Sequence, residues 1–214
     1  MPENKGQITI WGRANSVNVQ KVLWCLSELD LGYERIDAGM EFGRNYEPEY
    51  LAMNPNSRVP TLVDDDYVLW ESHSIMRYLV LAYRPDSSIY PQAPKRRAAV
   101  DRWLDWVLST VQPADRPVFW AMVRTPPEKR DMVAIQKDAD AEAVQWQIVD
   151  SYLKTRRFIT GDEFTLADIA IGAYARRWFG VEGITKPTFP HLERWFAELG
   201  TRPGFVRYIA PPMS

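Results

Sequence analysis

Residues 54–79 read NPNSRVPTLVDDDYVLWESHSIMRYL. Two β-rich runs, VPTLV at 59–63 and YVLW at 67–70, flank three aspartates, which is the composition of a hairpin with a tight polar turn. Directly afterwards the period changes. Ile75, Met76, Leu79 and Ala82 fall at helical spacing, so the second strand runs into a helix without a linker. The seam carries a lone carboxylate, Glu71, followed by Ser72, and two readings of the pair are open. In one, Ser72 is the helix N-cap and Glu71 sits in the turn before it. In the other, Ser72 and the free N–H groups behind it hold an anion while Glu71 holds a cation. A ligand with both charges on one carbon, such as an α-amino acid, suits that second reading.

Upstream of this hairpin, QITIW at 7–11 is a short β-branched run, followed by the turn chemistry of GRANSVN at 12–18. Val19, Val22, Leu23, Leu26 and Leu29 then mark one face of a helix that Gly32 ends, and YERID at 33–37 reads as a second strand. A strand–helix–strand unit places its two strands parallel. RNYEPEYLAMNPNS is irregular, with a short helix expected around Tyr46 to Met53. The first part of the chain is therefore βαβ, a connecting helix, then ββα. That order builds a four-stranded mixed sheet with helices on its faces.

Downstream, RPDSSIYPQAPKRR carries three prolines and reads as a linker at 84–93. Strand patterns stop there. Amphipathic helices are expected in KRRAAVDRWLDWVLSTV, EKRDMVAIQKDADAEAVQWQIVDSYLKT, TLADIAIGAYARRWF and HLERWFAELGTRPGF, the last with a Gly-Pro stop. The predicted organisation is an α/β domain at 1–83, the linker at 84–93 and an all-α domain at 94–214.

The 214 residues are 46% hydrophobic and 25% charged, enough for a proper core in one large or two small domains. With 26 basic against 28 acidic residues and no basic stripe, nothing points to a nucleic-acid partner. The opening MPENKGQ lacks the apolar core of a signal peptide, and no run approaches the roughly 18 apolar residues of a membrane helix. A single cysteine cannot form an internal disulfide, and the cytoplasm is the expected location. Nine tryptophans are many; those in the middle of the chain suit a thick core or a cleft for flat apolar ligands, core packing being the simpler reading for each.

The 54–79 stretch resembles the signature of the glutathione transferases: Asn-Pro, a basic residue, Val-Pro, a hairpin, then Glu-Ser opening a helix. GDEFTLADIAIG at 161–172 resembles their second signature, in the helical domain. The resemblance spans essentially the whole chain, and its serine-type, bacterial-like form implies a thioredoxin-like domain, βαβ-α-ββα, followed by a helical-bundle domain. It also implies a detoxifying enzyme with glutathione as co-substrate. Val59 would pair its backbone with the cysteinyl unit as an added strand does, and Pro60 would be the cis-proline exposing that edge. Glu71 would take the α-amino group of the γ-glutamyl unit and Ser72 its carboxylate. Arg58 would sit near the glycyl carboxylate, where many relatives have Lys; a solvated surface charge is its alternative.

Such an enzyme must ionise a thiol whose free pKa is about 8.5. A hydrogen-bond donor aimed at sulfur, placed where the first helix starts, shifts that balance. In RANSVNV, Ser16 aligns with the activating serine of serine-type relatives, with Asn15 and Asn18 as the other donors there; simple helix capping is the competing reading of Ser16 and Asn18. Cys25 lies well inside the helix and reads as a small buried hydrophobe, which argues against thiol exchange.

The remaining conspicuous residues read as structural. His73 and His191 are outside any metal-ligand spacing, so no metal is expected. Thr165 and Asp168 form a helix capping box, and Asp64-Asp65-Asp66 a solvated turn. Trp106, Thr110 and Pro113 are candidates for the wall of a second, hydrophobic-electrophile site. The resemblance further implies a homodimer. Other outcomes with the same co-substrate stay open: isomerisation, dehalogenation or ether cleavage. So does a non-enzymatic interaction module that has kept the fold.

Overall fold

The computed structural model describes residues 7–214, and the chain divides into two compact units after Pro85. The first unit runs β1 (Ile8–Trp11), α1 (Val17–Glu28), β2 (Glu34–Ile36), α2 (Pro48–Met53), β3 (Thr61–Asp64), β4 (Tyr67–Trp70) and α3 (Ser72–Tyr83). This is the expected βαβ-α-ββα order. The sheet order is β2-β1-β3-β4, with β1 and β2 parallel and the pairs β1–β3 and β3–β4 antiparallel.

Alternation and helical period meet in one core. Ile8, Ile10 and Leu62 point inward from the sheet, while α1 and α3 bury Val19, Val22, Leu26, Ile75, Met76 and Leu79. Cys25 is fully buried in α1, and that burial pushes its thiol far above the usual thiol range. It packs as the small hydrophobe its position implied.

Two local readings of the hairpin region change. Ser72 does not cap α3: it is the first helical residue, and Glu71 takes the cap position with φ 72 and ψ 112. Nor is the aspartate run uniformly solvated. Only Asp65 and Asp66 form the turn, whereas Asp64 is buried at the end of β3 and accepts hydrogen bonds from Tyr78 (2.7 Å) and Tyr83 (2.6 Å) on α3. Hydroxyl donors 14 and 19 residues away had no local signal.

The second unit is helical: α4 (Pro94–Trp106), α5 (Gln112–Phe119), α6 (Met132–Leu153), α7 (Leu166–Gly180), α8 (Pro190–Leu199) and α9 (Pro203–Tyr208). α4 and α5 form one helical path, because a π-helical turn at Val107–Val111 joins them and a second follows at Trp120–Arg124. Pro113 sits in the first turn of α5, just after the first wide turn, where a missing N–H is tolerated. The Gly-Pro stop ends α8 at Leu199, but the chain turns helical again as α9. Trp146, Tyr174 and Trp195 are buried at the centre of this unit. The capping box is present: Asp168 accepts from the Thr165 backbone N–H at 2.8 Å and also from Ile159 N and Trp195 Nε1, each at 2.9 Å. Among the described residues no helix is long and apolar enough to cross a membrane.

Candidate functional site

Strand register gathers the motif residues of the first unit. Trp11, the last residue of β1, pairs with Thr61, the first of β3, and Thr61 pairs with Trp70, the last of β4. Three chain segments therefore leave the sheet at the same end: the Gly12–Ser16 loop, the Val59–Pro60 approach to β3, and Glu71–Ser72. Two helices, α1 and α3, start there, so two sets of first-turn N–H groups and two positive dipole ends lie at that edge.

The Val59–Pro60 peptide bond is cis. The segment before it is held by side chains from α2 and the adjoining loops. Tyr50 Oη donates to the Arg58 carbonyl at 2.5 Å and lies 2.8 Å from Thr61 Oγ1. Asn54 Nδ2 reaches the same two groups at 2.9 and 3.0 Å, and Asn45 Nδ2 donates to the Ser57 carbonyl at 2.8 Å. Three of these bonds hold the backbone carbonyls of Ser57 and Arg58, two hold the Thr61 hydroxyl just after Pro60, and Val59 itself is half-buried. Arg58 is exposed. None of the three clamps was read as such from sequence. Asn54 belongs to the Asn-Pro pair of the motif, and that was the one available signal.

Glu71 is exposed and adopts a backbone conformation that non-glycine residues seldom take, at a cost of about 1–3 kcal/mol. Strain of this kind persists only where the surrounding structure over-determines the backbone. Ser72 behind it is buried, at the N-terminus of α3. Its neighbour His73 is also buried, with Nε2 at 2.8 Å from the fully buried Lys21 Nζ. That contact links α1 to α3, a structural role for His73.

Ser16 occupies the N-cap position of α1 and is buried, yet its hydroxyl makes no capping hydrogen bond. Its carbonyl starts the helix by accepting from Gln20 N at 2.8 Å. Asn15 Oδ1 accepts from Arg13 at 3.5 Å, and Asn18 carries a buried Oδ1 with no hydrogen-bond partner. Gly12 brings this loop against Val59. At φ 151 it has no Cβ, and one built there would lie 2.5 Å from Val19 Cγ2 and 3.1 Å from Val59 Cβ. The loop that carries Ser16 and the segment that carries Val59 meet only because position 12 is glycine.

Trp106, Thr110 and Pro113 lie in the second unit, on consecutive turns of the α4–α5 path. Trp106 stacks edge-to-face on Trp103 with ring centroids 5.1 Å apart, Thr110 Oγ1 is 3.3 Å from Ser109 Oγ, and Pro113 is exposed. The carboxyl groups whose pKa burial raises, Asp115, Glu142 and the capping-box Asp168, belong to the packing of this unit: Asp115 accepts from Arg177 at 2.7 Å and Glu142 from Trp146 Nε1 at 2.9 Å. Among the described residues no group of three His, Cys, Asp or Glu is placed to hold a metal.

The glutathione S-transferase N-terminal domain family matches residues 6–80, and the glutathione S-transferase C-terminal domain family matches residues 73–203. The chain is 43% identical over 209 residues to glutathione S-transferase GstB of Escherichia coli (strain K12), covering 97% of this chain and 100% of the relative. The chain belongs to the glutathione S-transferase family. Membership makes it a transferase with glutathione as co-substrate. Its fold is similar to that of the theta class glutathione S-transferase of Xanthomonas axonopodis pv. citri, solved with glutathione bound, at a TM-score of 0.92 and 42% identity over 98% of this chain and all of that one. Bombyx mori glutathione transferase BmGSTD1 is similar at a TM-score of 0.85 and 27% identity, over 95% of this chain and 93% of that one. The two family models together match residues of both units of the chain.

Proposed function

We propose that this glutathione S-transferase joins the glutathione thiolate to a small hydrophobic electrophile, with Ser16 stabilising the thiolate. The observation that carries the reading is the convergence of Ser16, Val59–Pro60 and Glu71–Ser72 at one end of the sheet, fixed by the Trp11–Thr61–Trp70 register. Val59 N–H and C=O pair with the cysteinyl backbone, the γ-glutamyl ammonium meets Glu71, and its carboxylate meets the Ser72 hydroxyl and the first turn of α3. Arg58 faces the glycyl carboxylate. This holds the sulfur beside the Ser16 hydroxyl, which donates to it, and beside the N-terminus of α1.

A hydrogen bond to a charged group contributes about 1.5–3 kcal/mol, or about 1–2 pKa units, and a helix N-terminus adds about 0.3–1 kcal/mol. A thiol of about 8.5 then titrates near 6–7.5, which makes the thiolate a large fraction at neutral pH. It attacks the electrophilic carbon; the carbon–sulfur bond forms as the leaving group departs or an activated alkene takes up a proton. Trp106, Thr110 and Pro113 contribute to the wall that receives the electrophile. The protein is a cytoplasmic homodimer in this reading, as the family habitually is.

The test is titration calorimetry with glutathione and retention on immobilised glutathione. Wild-type protein is retained and eluted by free glutathione. Glu71→Gln, which keeps the shape and removes the charge, weakens binding about 10- to 100-fold. A wild-type chain that is not retained supports an interaction module instead.

A further inference from the structure

We propose that Arg35, braced by Asp37, is the positioning residue that holds the Ser16 loop in register with the thiol. The inference rests on the reading of Ser16 given above and adds a part to it that no motif marks. The loop from Gly12 to Ser16 is short, and its root is a glycine at φ 151, the one residue there with the conformational freedom to swing. Its backbone is tied on the β2 side: Gly12 N donates to Ile36 O at 2.8 Å and Arg13 N to Ala38 O at 3.0 Å. The Gly12 carbonyl faces the same way, and Arg35 Nη1 donates to it at 2.9 Å. Arg35 pairs with Ile10 in the β1–β2 register, so it stands beside the strand that feeds the loop.

Two residues further on, Asp37 takes the Nη1–Nη2 fork of the same guanidinium, sharing Nη1 with the Gly12 carbonyl. Nη1 contacts Oδ1, and Nη2 donates to Oδ2 at 3.3 Å. A guanidinium offers five donors in one plane, so it can fork a carboxylate and still aim an N–H at a carbonyl; an ammonium cannot hold both in fixed geometry. Gly12 is thereby held on three sides: its N–H by Ile36, its carbonyl by Arg35, and its Cα face by Val19 and Val59. Ser16 lies four residues along the same loop, where it turns back with Ser16 N donating to Arg13 O at 3.2 Å. A donor misplaced by about 1 Å loses much of its effect on a reacting atom. Arg35 touches neither glutathione nor the electrophile in this scheme; it acts through Gly12.

The experiment compares wild type, Arg35→Met, Arg35→Lys and Asp37→Asn. Three quantities are read: glutathione affinity, the thiol pKa of bound glutathione from thiolate absorbance, and amide hydrogen exchange of residues 12–16. In Arg35→Met, affinity stays within about threefold, the bound thiol pKa rises by about half to one unit, and exchange at Gly12 and Arg13 quickens about tenfold or more. Arg35→Lys and Asp37→Asn fall in between, and they carry the test if Arg35→Met does not fold. Bound thiol pKa at the wild-type value in these variants overturns the clamp, whatever the exchange rates. A raised pKa with unchanged exchange makes Arg35 a purely electrostatic neighbour and overturns the clamp as well. Wild-type protein whose bound thiol keeps its free-solution pKa overturns the Ser16 reading itself, which separates the two failures.

Discussion

Replacing Glu142 by Gln stabilises the protein, and the gain grows with pH. Glu142 is buried on α6 with its carboxyl accepting from Trp146 Nε1 at 2.9 Å. Burial pushes its pKa from 4.5 up to about 8, with Asp115 raising it further and Trp146, Lys186 and Arg177 pulling it down. The folded state therefore keeps a proton that the unfolded chain releases. Because the folded pKa lies above the unfolded one, this group's contribution is fully present below about pH 4.5 and is lost as pH rises toward 8, at about 1.4 kcal/mol per pH unit. Gln keeps the acceptor for Trp146 and titrates in neither state. The stability difference between Glu142→Gln and wild type is then about 1 kcal/mol at pH 5 and about 3 kcal/mol at pH 7, in favour of the variant. Urea unfolding of both proteins at pH 5, 6 and 7 measures it. A difference that does not change with pH, or a variant that loses stability steadily toward pH 7, refutes the assignment of a buried proton to Glu142.

Gly12→Ala places a Cβ 2.5 Å from Val19 Cγ2 at φ 151, which overpacks a buried contact and costs about 2–4 kcal/mol in urea unfolding. A change below about 0.5 kcal/mol would show that the loop is free to move away from Val19. Tyr50→Phe removes one of two donors to the Arg58 carbonyl and leaves Asn54 Nδ2 in place at 2.9 Å, so no buried group is orphaned; about 1 kcal/mol is lost with glutathione affinity nearly kept. A loss above about 3 kcal/mol would mean that Asn54 does not satisfy that carbonyl alone.

Patterns of local origin were legible in the sequence. Alternation in QITIW and YVLW, helical spacing from Val19 to Leu29 and from Ile75 to Ala82, and the Thr165–Asp168 capping box all state their structure within a few residues. The 54–79 stretch also located Val59, Pro60, Glu71 and Ser72 as a candidate site, and the strand register then brought Ser16 to the same sheet edge. What escaped was polar pairing across long separations. Lys21 meets His73 over 52 residues, Arg35 meets Gly12 over 23, and Asp64 meets Tyr83 over 19. Hydrophobic period carries no record of such partners. The backbone at Glu71 was misplaced by one residue for a related reason: Ser before an apolar run reads as an N-cap, and nothing local announces a glutamate at φ 72. The expected helix ended at Val111, whereas the helical path continues through a π turn into α5, with Pro113 in its first turn.

The measurement that decides the account is the absorbance of the bound glutathione thiolate against pH, for wild type and Ser16→Ala, each saturated with glutathione. The wild-type thiol is expected to titrate about 1–2 units or more below its free value, and Ser16→Ala to return about 1–2 units of that shift with the remainder left to the helix N-terminus. Superimposable curves for the two proteins, or a wild-type curve at the free-thiol value, would contradict the role assigned to Ser16.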